Sequence, residues 1–91
     1  MTRAELKEGI SQKTNIEIIK VSIITESFFE IIKQEISHGN KVTFKGFGTF
    51  FPKKRAAKKV QLIKEKRTVS LSEHYIPAFS PSELFQSKVL N

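Results

Sequence analysis

The chain has 91 residues, one domain's worth, and its sixteen Lys and Arg stand against nine acidic residues, all Glu, for a formal charge of +7. The absence of Cys excludes disulfides, thiolate metal sites and cysteine nucleophiles, and with no Asp and only His38 and His74, 36 positions apart, hydrolytic triads and ordinary zinc spacings have no raw material. A monomer of this size buries only roughly 60–65% of its unfolded surface, so a second subunit is the remaining way to enlarge the core.

Thr2 with Glu5 three residues later is a capping-box signature, and Leu6 and Ile10 follow on one face, which predicts a short helix ending near Gln12. A second helix is expected to start at Asn15 or Glu17. In it Val21, Ile24, Phe28, Ile31, Ile32 and Ile36 recur at spacings of three and four until His38-Gly39-Asn40 stops the run. Ile18, Ile19, Ile23 and Phe29 widen the apolar stripe beyond what one short helix covers, so part of it is expected to face another subunit.

After Asn40 the period changes. Lys41-Val42-Thr43-Phe44 alternates like a strand, Lys45-Gly46-Phe47-Gly48 supplies a reversal, and Thr49-Phe50-Phe51 resumes the sheet. Gly46 and Gly48 resemble part of a dinucleotide fingerprint, but a strand and a basic segment follow where a helix is required, which argues against nucleotide binding. From Lys53 the chain is polar and extended, and Thr68-Val69-Ser70-Leu71-Ser72 returns. Two long strands joined near residues 60–66 therefore form a hairpin arm with too few apolar residues for a core, with Val60, Leu62 and Ile63 near its end. Ser80-Pro81-Ser82-Glu83 reads as a second capping box with Pro81 at the first helical position, opening a last helix that carries Leu84, Phe85 and Val89. The order is two helices, three strands and a helix, with the arm between the second and third strands.

The charge is not spread evenly. Residues 1–40 hold five basic and six acidic side chains, whereas residues 41–75 hold ten basic side chains and two Glu. Eight cations fall within residues 53–67, opposed only by Glu65, and their mutual repulsion would destabilise a compact state unless a polyanion covers them. Lys53, Arg55, Lys58, Lys59, Lys64, Lys66 and Arg67 are accordingly expected to neutralise phosphates, with Arg3 and the amides at Ser82 and Glu83 holding flanking ones. The start of the chain has no apolar run resembling a signal peptide and no segment nears the roughly 20 apolar residues of a membrane span, so a cytoplasmic protein without a membrane partner is expected.

The Gly46-Phe47-Gly48-Thr49-Phe50 turn, the basic segment with Arg55-Ala56, the Pro77-Ala78-Phe79 entry to the final helix and the uninterrupted spacing between them together resemble the HU/IHF family of bacterial DNA-bending proteins. The resemblance covers nearly the whole chain. It implies an α+β fold in an intertwined homodimer, with residues 1–40 as a helical dimerisation base, 41–76 as sheet and DNA-binding arm, and 77–91 as C-terminal helix. It also implies Phe28, Phe47, Phe50 and Phe79 in the dimer core, arms that wrap duplex DNA through its minor groove, and a nucleoid-associated protein. A heterodimer with a paralogue would preserve every one of these features. The family's usual arm tip is Arg-Asn-Pro with the proline wedged between base pairs; here Gln61-Leu62-Ile63 stands there, and Ile63 becomes the candidate wedge.

Two other readings compete with a DNA-bending protein of weak sequence preference. Leu62 and Ile63 suit a structural protein whose arm tip binds a protein partner or itself, and the basic charge suits RNA, although aromatics free to stack on bases are scarce. An enzyme is disfavoured and no cofactor is expected, because His38 reads as a helix-end residue and His74 as a strand-end residue.

Overall fold

In the computed structural model, which describes residues 1–62 and 64–90, the chain begins with helix α1 over Arg3–Thr14. The Thr2 hydroxyl accepts from the Glu5 backbone N–H at 3.2 Å and donates to the Glu5 carboxylate, so the expected pairing of these two residues forms, though the Glu5 side chain meets the hydroxyl and not the Thr2 amide. The helix runs two residues beyond Gln12. Asn15 ends it, adopting a left-handed conformation with φ 60° and returning its N–H to the Ser11 carbonyl, and so is the close of α1 and not the start of the next helix.

Helix α2 spans Ile18–Ser37. Its end follows from Gly39, whose φ of 84° suits a residue without Cβ. The Gly39 N–H reaches the Ile36 carbonyl and the Asn40 N–H the Glu35 carbonyl, the paired bonds of a Schellman stop. The molecule divides into two compact units, Met1–Gln34 and the residues from Glu35 onward. In the first, Lys7 ties α1 to α2 by reaching Ser22 Oγ at 3.0 Å and Glu26 at 2.8 Å. Val21 is buried there, and Thr25 beside it satisfies its hydroxyl on the Val21 carbonyl.

In the second unit, strands β1 (Val42–Phe44), β2 (Gly48–Arg55) and β5 (His74–Pro81) form an antiparallel sheet in the order β1-β2-β5. Strands β3 (Lys58–Leu62) and β4 (Arg67–Leu71) form a separate two-stranded ladder. The two long strands expected from the sequence are thus each interrupted. Arg55 faces His74 and Lys58 faces Leu71, so residues 56–57 stand opposite 72–73 and the register crosses the interruption unchanged. Hydrogen bonding lapses there without an inserted residue. Residues 64–66 turn the chain, with Lys66 at φ 49°.

Phe44, Phe47, Phe50, Phe79 and Phe85 gather on one side of the sheet, with Phe47 stacked on Phe85 at 5.0 Å and Phe50 against Phe79 at 4.7 Å between ring centroids. The two glycines of the turn serve different ends. Gly46 takes φ 82°, whereas Gly48 leaves room for the Phe79 ring, which a Cβ at that position would meet at 2.6 Å.

Helix α3 covers Glu83–Leu90, and its cap is Ser82, whose hydroxyl accepts from the Phe85 N–H at 3.2 Å. The capping box expected at Ser80 does not form. Ser80 and Pro81 are still in β5, paired with Thr49 and Gly48, and the sheet ladder holds them one turn short of the helix.

Candidate nucleic-acid interface

In an antiparallel ladder, directly paired residues share a face and faces alternate along each strand, so the register sorts the arm's side chains. One face carries Val60 with Val69, Leu62 with Arg67, and Lys58 with Leu71. The other carries Lys59 with Ser70 and Gln61 with Thr68. Val60, Val69 and Leu62 are half-buried against one another, which is the only packing a two-stranded ribbon can offer, while Lys58, Lys59, Gln61 and Arg67 are exposed. In β2 and β5 the same alternation sets Lys53 with Ile76 and Arg55 with His74 on one face, and Lys54 with Tyr75 on the other.

The cations differ in what already holds them. Lys54 pairs with Glu73 at 3.0 Å and Arg67 with Glu65 at 2.6 Å. Among the described residues no carboxylate lies within ion-pair reach of Lys53, Arg55, Lys58, Lys59, Lys64 or Lys66, all of them exposed. A run of uncompensated ammonium and guanidinium groups on an exposed ribbon is a surface for a polyanion. No group of His, Asp, Glu and Cys able to hold a metal occurs among the described residues, and no helix there is long and apolar enough to cross a membrane.

The structure brings together Lys53, Arg55, Lys58, Lys59, Gln61, Lys64, Lys66 and Arg67 on one hairpin. Ile63 lies outside the described residues. Arg3, expected to hold a flanking phosphate, belongs to the first unit, where its guanidinium pairs with Glu26 at 3.1 Å and lies 4.6 Å over the Phe29 ring, so it already has partners within the protomer. Lys7, the hydrogen-bond partner at 2.8 Å, and the charge of Arg3 hold the Glu26 carboxyl below the usual carboxylate range against its partial desolvation. The Ser82 amide is not free either, since it donates to the Phe47 carbonyl at 2.9 Å. That N–H ties the start of α3 to the reversal between β1 and β2.

Phe28, Phe47 and Phe79 keep 45%, 45% and 37% of their surface exposed, far more than core phenylalanines do, and Phe50 is half-buried. On α2, Ile24, Phe28 and Ile31 recur at spacings of four and three and are all exposed, which makes a continuous apolar stripe. An apolar groove of about 390 Å³ lined by Phe79, Pro81, Phe85, Val89 and Leu90 adds to the uncovered surface of the second unit. Three residues went unassigned in the sequence. Lys54 was hidden by the abundance of lysine around it, and His74 and Tyr75 by their place at a strand end; only the pairing register sets His74 beside Arg55 and Tyr75 beside Lys54.

A model of the family described as bacterial DNA-binding protein matches residues 1–90. The chain is similar to the DNA-binding protein HU of Thermotoga maritima, 29% identical over 89 residues that cover 98% of this chain and 99% of the relative. It is 32% identical over 90 residues to the integration host factor subunit beta of Hahella chejuensis, covering 98% and 92% of the two chains. Among solved structures it superimposes on HU of the Anabaena HU–DNA cocrystal with a TM-score of 0.89 at 29% identity, covering 98% of this chain and 97% of that one.

Proposed function

The chain belongs to the bacterial DNA-binding protein family, to which its HU and integration host factor relatives point, and from that premise we propose that it is a homodimer whose paired arms grip and bend duplex DNA. It is an architectural protein and not an enzyme; its work is to hold a polyanion in a shape. The observation that carries this is the set of six cations, Lys53, Arg55, Lys58, Lys59, Lys64 and Lys66, that no carboxylate offsets among the described residues.

Each phosphate these groups neutralise releases condensed counterions, so log affinity falls with log salt by about 0.9 per phosphate. Sequence preference is weak, because phosphates carry no sequence and the minor groove separates mainly A·T from G·C. Ile63, at the position where the family sets its wedge, unstacks a base step, and the unstacking cost of a few kcal/mol is offset by the backbone contacts that bending brings within reach. The helical base at residues 1–40, the sheet and arm from 41 through β5 to Pro81, and the final helix α3 at Glu83–Leu90 divide the labour of pairing, gripping and bracing. Binding to the chromosome makes the protein nucleoid-associated. A paralogue with the same apolar surfaces forms the heterodimer equally well.

Titration of a labelled duplex over a range of salt concentrations tests the reading. The double variant Arg55→Ala and Lys58→Ala binds more weakly to all duplexes, with a slope shallower by about 0.9 for each phosphate that is no longer neutralised. An unchanged slope would move the contact surface off the arm. Ile63→Ala keeps most of the affinity and reduces the bend measured by end-to-end energy transfer; the same bend angle in both proteins would remove Ile63 from the mechanism.

A further inference from the structure

Where the ladder lapses, an open cleft of about 570 Å³ is lined by Arg55, Ala56, Ala57, Lys58, Leu71, His74 and Ile76. On a flat ribbon Lys58 and Leu71 would face away from Arg55 and His74, since their positions differ by an odd number along each strand. That both sets line one cleft means the ribbon twists at this point, and the twist brings Arg55, Lys58 and the His74 imidazole around a common space.

His74 Nδ1 lies 2.8 Å from the Ser72 carbonyl oxygen, which can only accept, so Nδ1 carries a proton. In the neutral ring Nε2 is then an acceptor, which repels a phosphate oxygen. Only the imidazolium donates from Nε2. The charged groups around it are Arg55 directly across the ladder, Lys53 one pair further along the same face and Lys58 on the cleft wall. Tyr75 is on the opposite face, and the adjacent carboxylate, Glu73, is engaged by Lys54 at 3.0 Å. The walls thus present cations and no free carboxylate, which is a setting for one anionic oxygen group.

We infer that this cleft seats a backbone phosphate of duplex DNA through His74 together with Arg55 and Lys58, and that seating it takes up a proton. The inference rests on the DNA-binding reading and adds to it a residue and a pH dependence. A phosphodiester on the cleft supplies the negative charge that favours the imidazolium, so proton and DNA stabilise one another's binding.

Fluorescence anisotropy with a labelled duplex at fixed ionic strength, between pH 6 and pH 8, tests this without titrating carboxylates. Wild-type affinity falls roughly three- to tenfold over that range, the size of a partly screened charge contact. His74→Gln is flat at the pH 8 level, and His38→Gln retains the wild-type dependence. In proton NMR of the full chain, adding duplex moves the His74 ring titration to higher pH. Helical circular dichroism confirms that each variant is folded. A wild-type affinity independent of pH, or a dependence that survives in His74→Gln, overturns the inference while DNA binding stands. Absence of any binding at pH 6 in low salt overturns the DNA reading itself.

Discussion

A Cβ built on Gly48 would lie 2.5 Å from the Ser80 carbonyl oxygen and 2.6 Å from the Phe79 ring, and both belong to a paired strand that cannot retreat without breaking its ladder. Gly48→Ala therefore costs about 1–3 kcal/mol by overpacking. At Gly46 the nearest atom is Leu84 Cδ1 at 3.9 Å, so Gly46→Ala meets no clash and is opposed only by its φ of 82°, at about 1–2 kcal/mol. Chemical denaturation at one protein concentration separates the two, and the distinguishing result is recovery: a smaller apolar side chain at position 79, as in Phe79→Leu, offsets part of the Gly48→Ala loss and none of the Gly46→Ala loss. Glu26 makes a different kind of contribution. Its carboxyl is held below the usual range by Lys7 first and Arg3 after it, so the stabilisation is complete above the unfolded carboxylate pKa and is lost as pH falls through the lower folded value. Glu26→Gln lacks that contribution. Its thermal midpoint, compared with wild type from pH 7 downward, lies below it near neutrality, and the gap closes in acid below about pH 4.

At the scale of the element, the arm is a ribbon whose cations fall into two classes, and the difference is testable. Lys54 and Arg67 are held by Glu73 and Glu65, whereas Lys53 and Lys59 have no such partner among the described residues. Glu65→Gln with Glu73→Gln releases the first pair, and the double variant binds duplex more tightly and with a steeper salt slope than wild type; equal slopes would show that Lys54 and Arg67 already reach phosphate. Much of this element was legible in the sequence, because Thr68 to Ser72 alternates and the basic run from Lys53 has no apolar face to hide. The interruption at residues 56–57 and 72–73 was not. Ala56 and Ala57 are neither turn formers nor breakers, and the lapse is a property of pairing between strands, which no single strand's pattern records. The same limit hid the last helix's true cap. Ser80-Pro81 and Ser82-Glu83 both satisfy the local chemistry of a helix start, and the partners Thr49 and Gly48 across the sheet decide that the first pair stays extended.

On the scale of the whole molecule, a single protomer leaves most of its apolar groups uncovered. Val21 is the one buried apolar side chain among the described residues, while Ile24, Phe28 and Ile31 on α2 and Phe47 and Phe79 at the sheet remain exposed by 37% or more. A chain with so small a core of its own gains its folding free energy on association, and folding and dimerisation become one equilibrium. The helical stripe was visible as an excess of apolar residues in the sequence; its division into Val21 and Thr25 facing inward and Ile24, Phe28 and Ile31 facing outward needed the fold. Ile24 is 62% exposed in the protomer, so Ile24→Glu disturbs little within it. Against a second apolar stripe the same glutamate is a desolvated charge without a partner, which costs several kcal/mol. The wild-type thermal midpoint rises with protein concentration, and Ile24→Glu lowers it most in dilute solution, with sedimentation showing a shift from two chains toward one. A second variant, Ile19→Glu, carries the same new charge on a residue 70% exposed and away from the stripe of Ile24, Phe28 and Ile31. It leaves mass and midpoint near wild type if that stripe is the interface, and a loss of the dimer in Ile19→Glu with its retention in Ile24→Glu would place the interface on the other flank of α2.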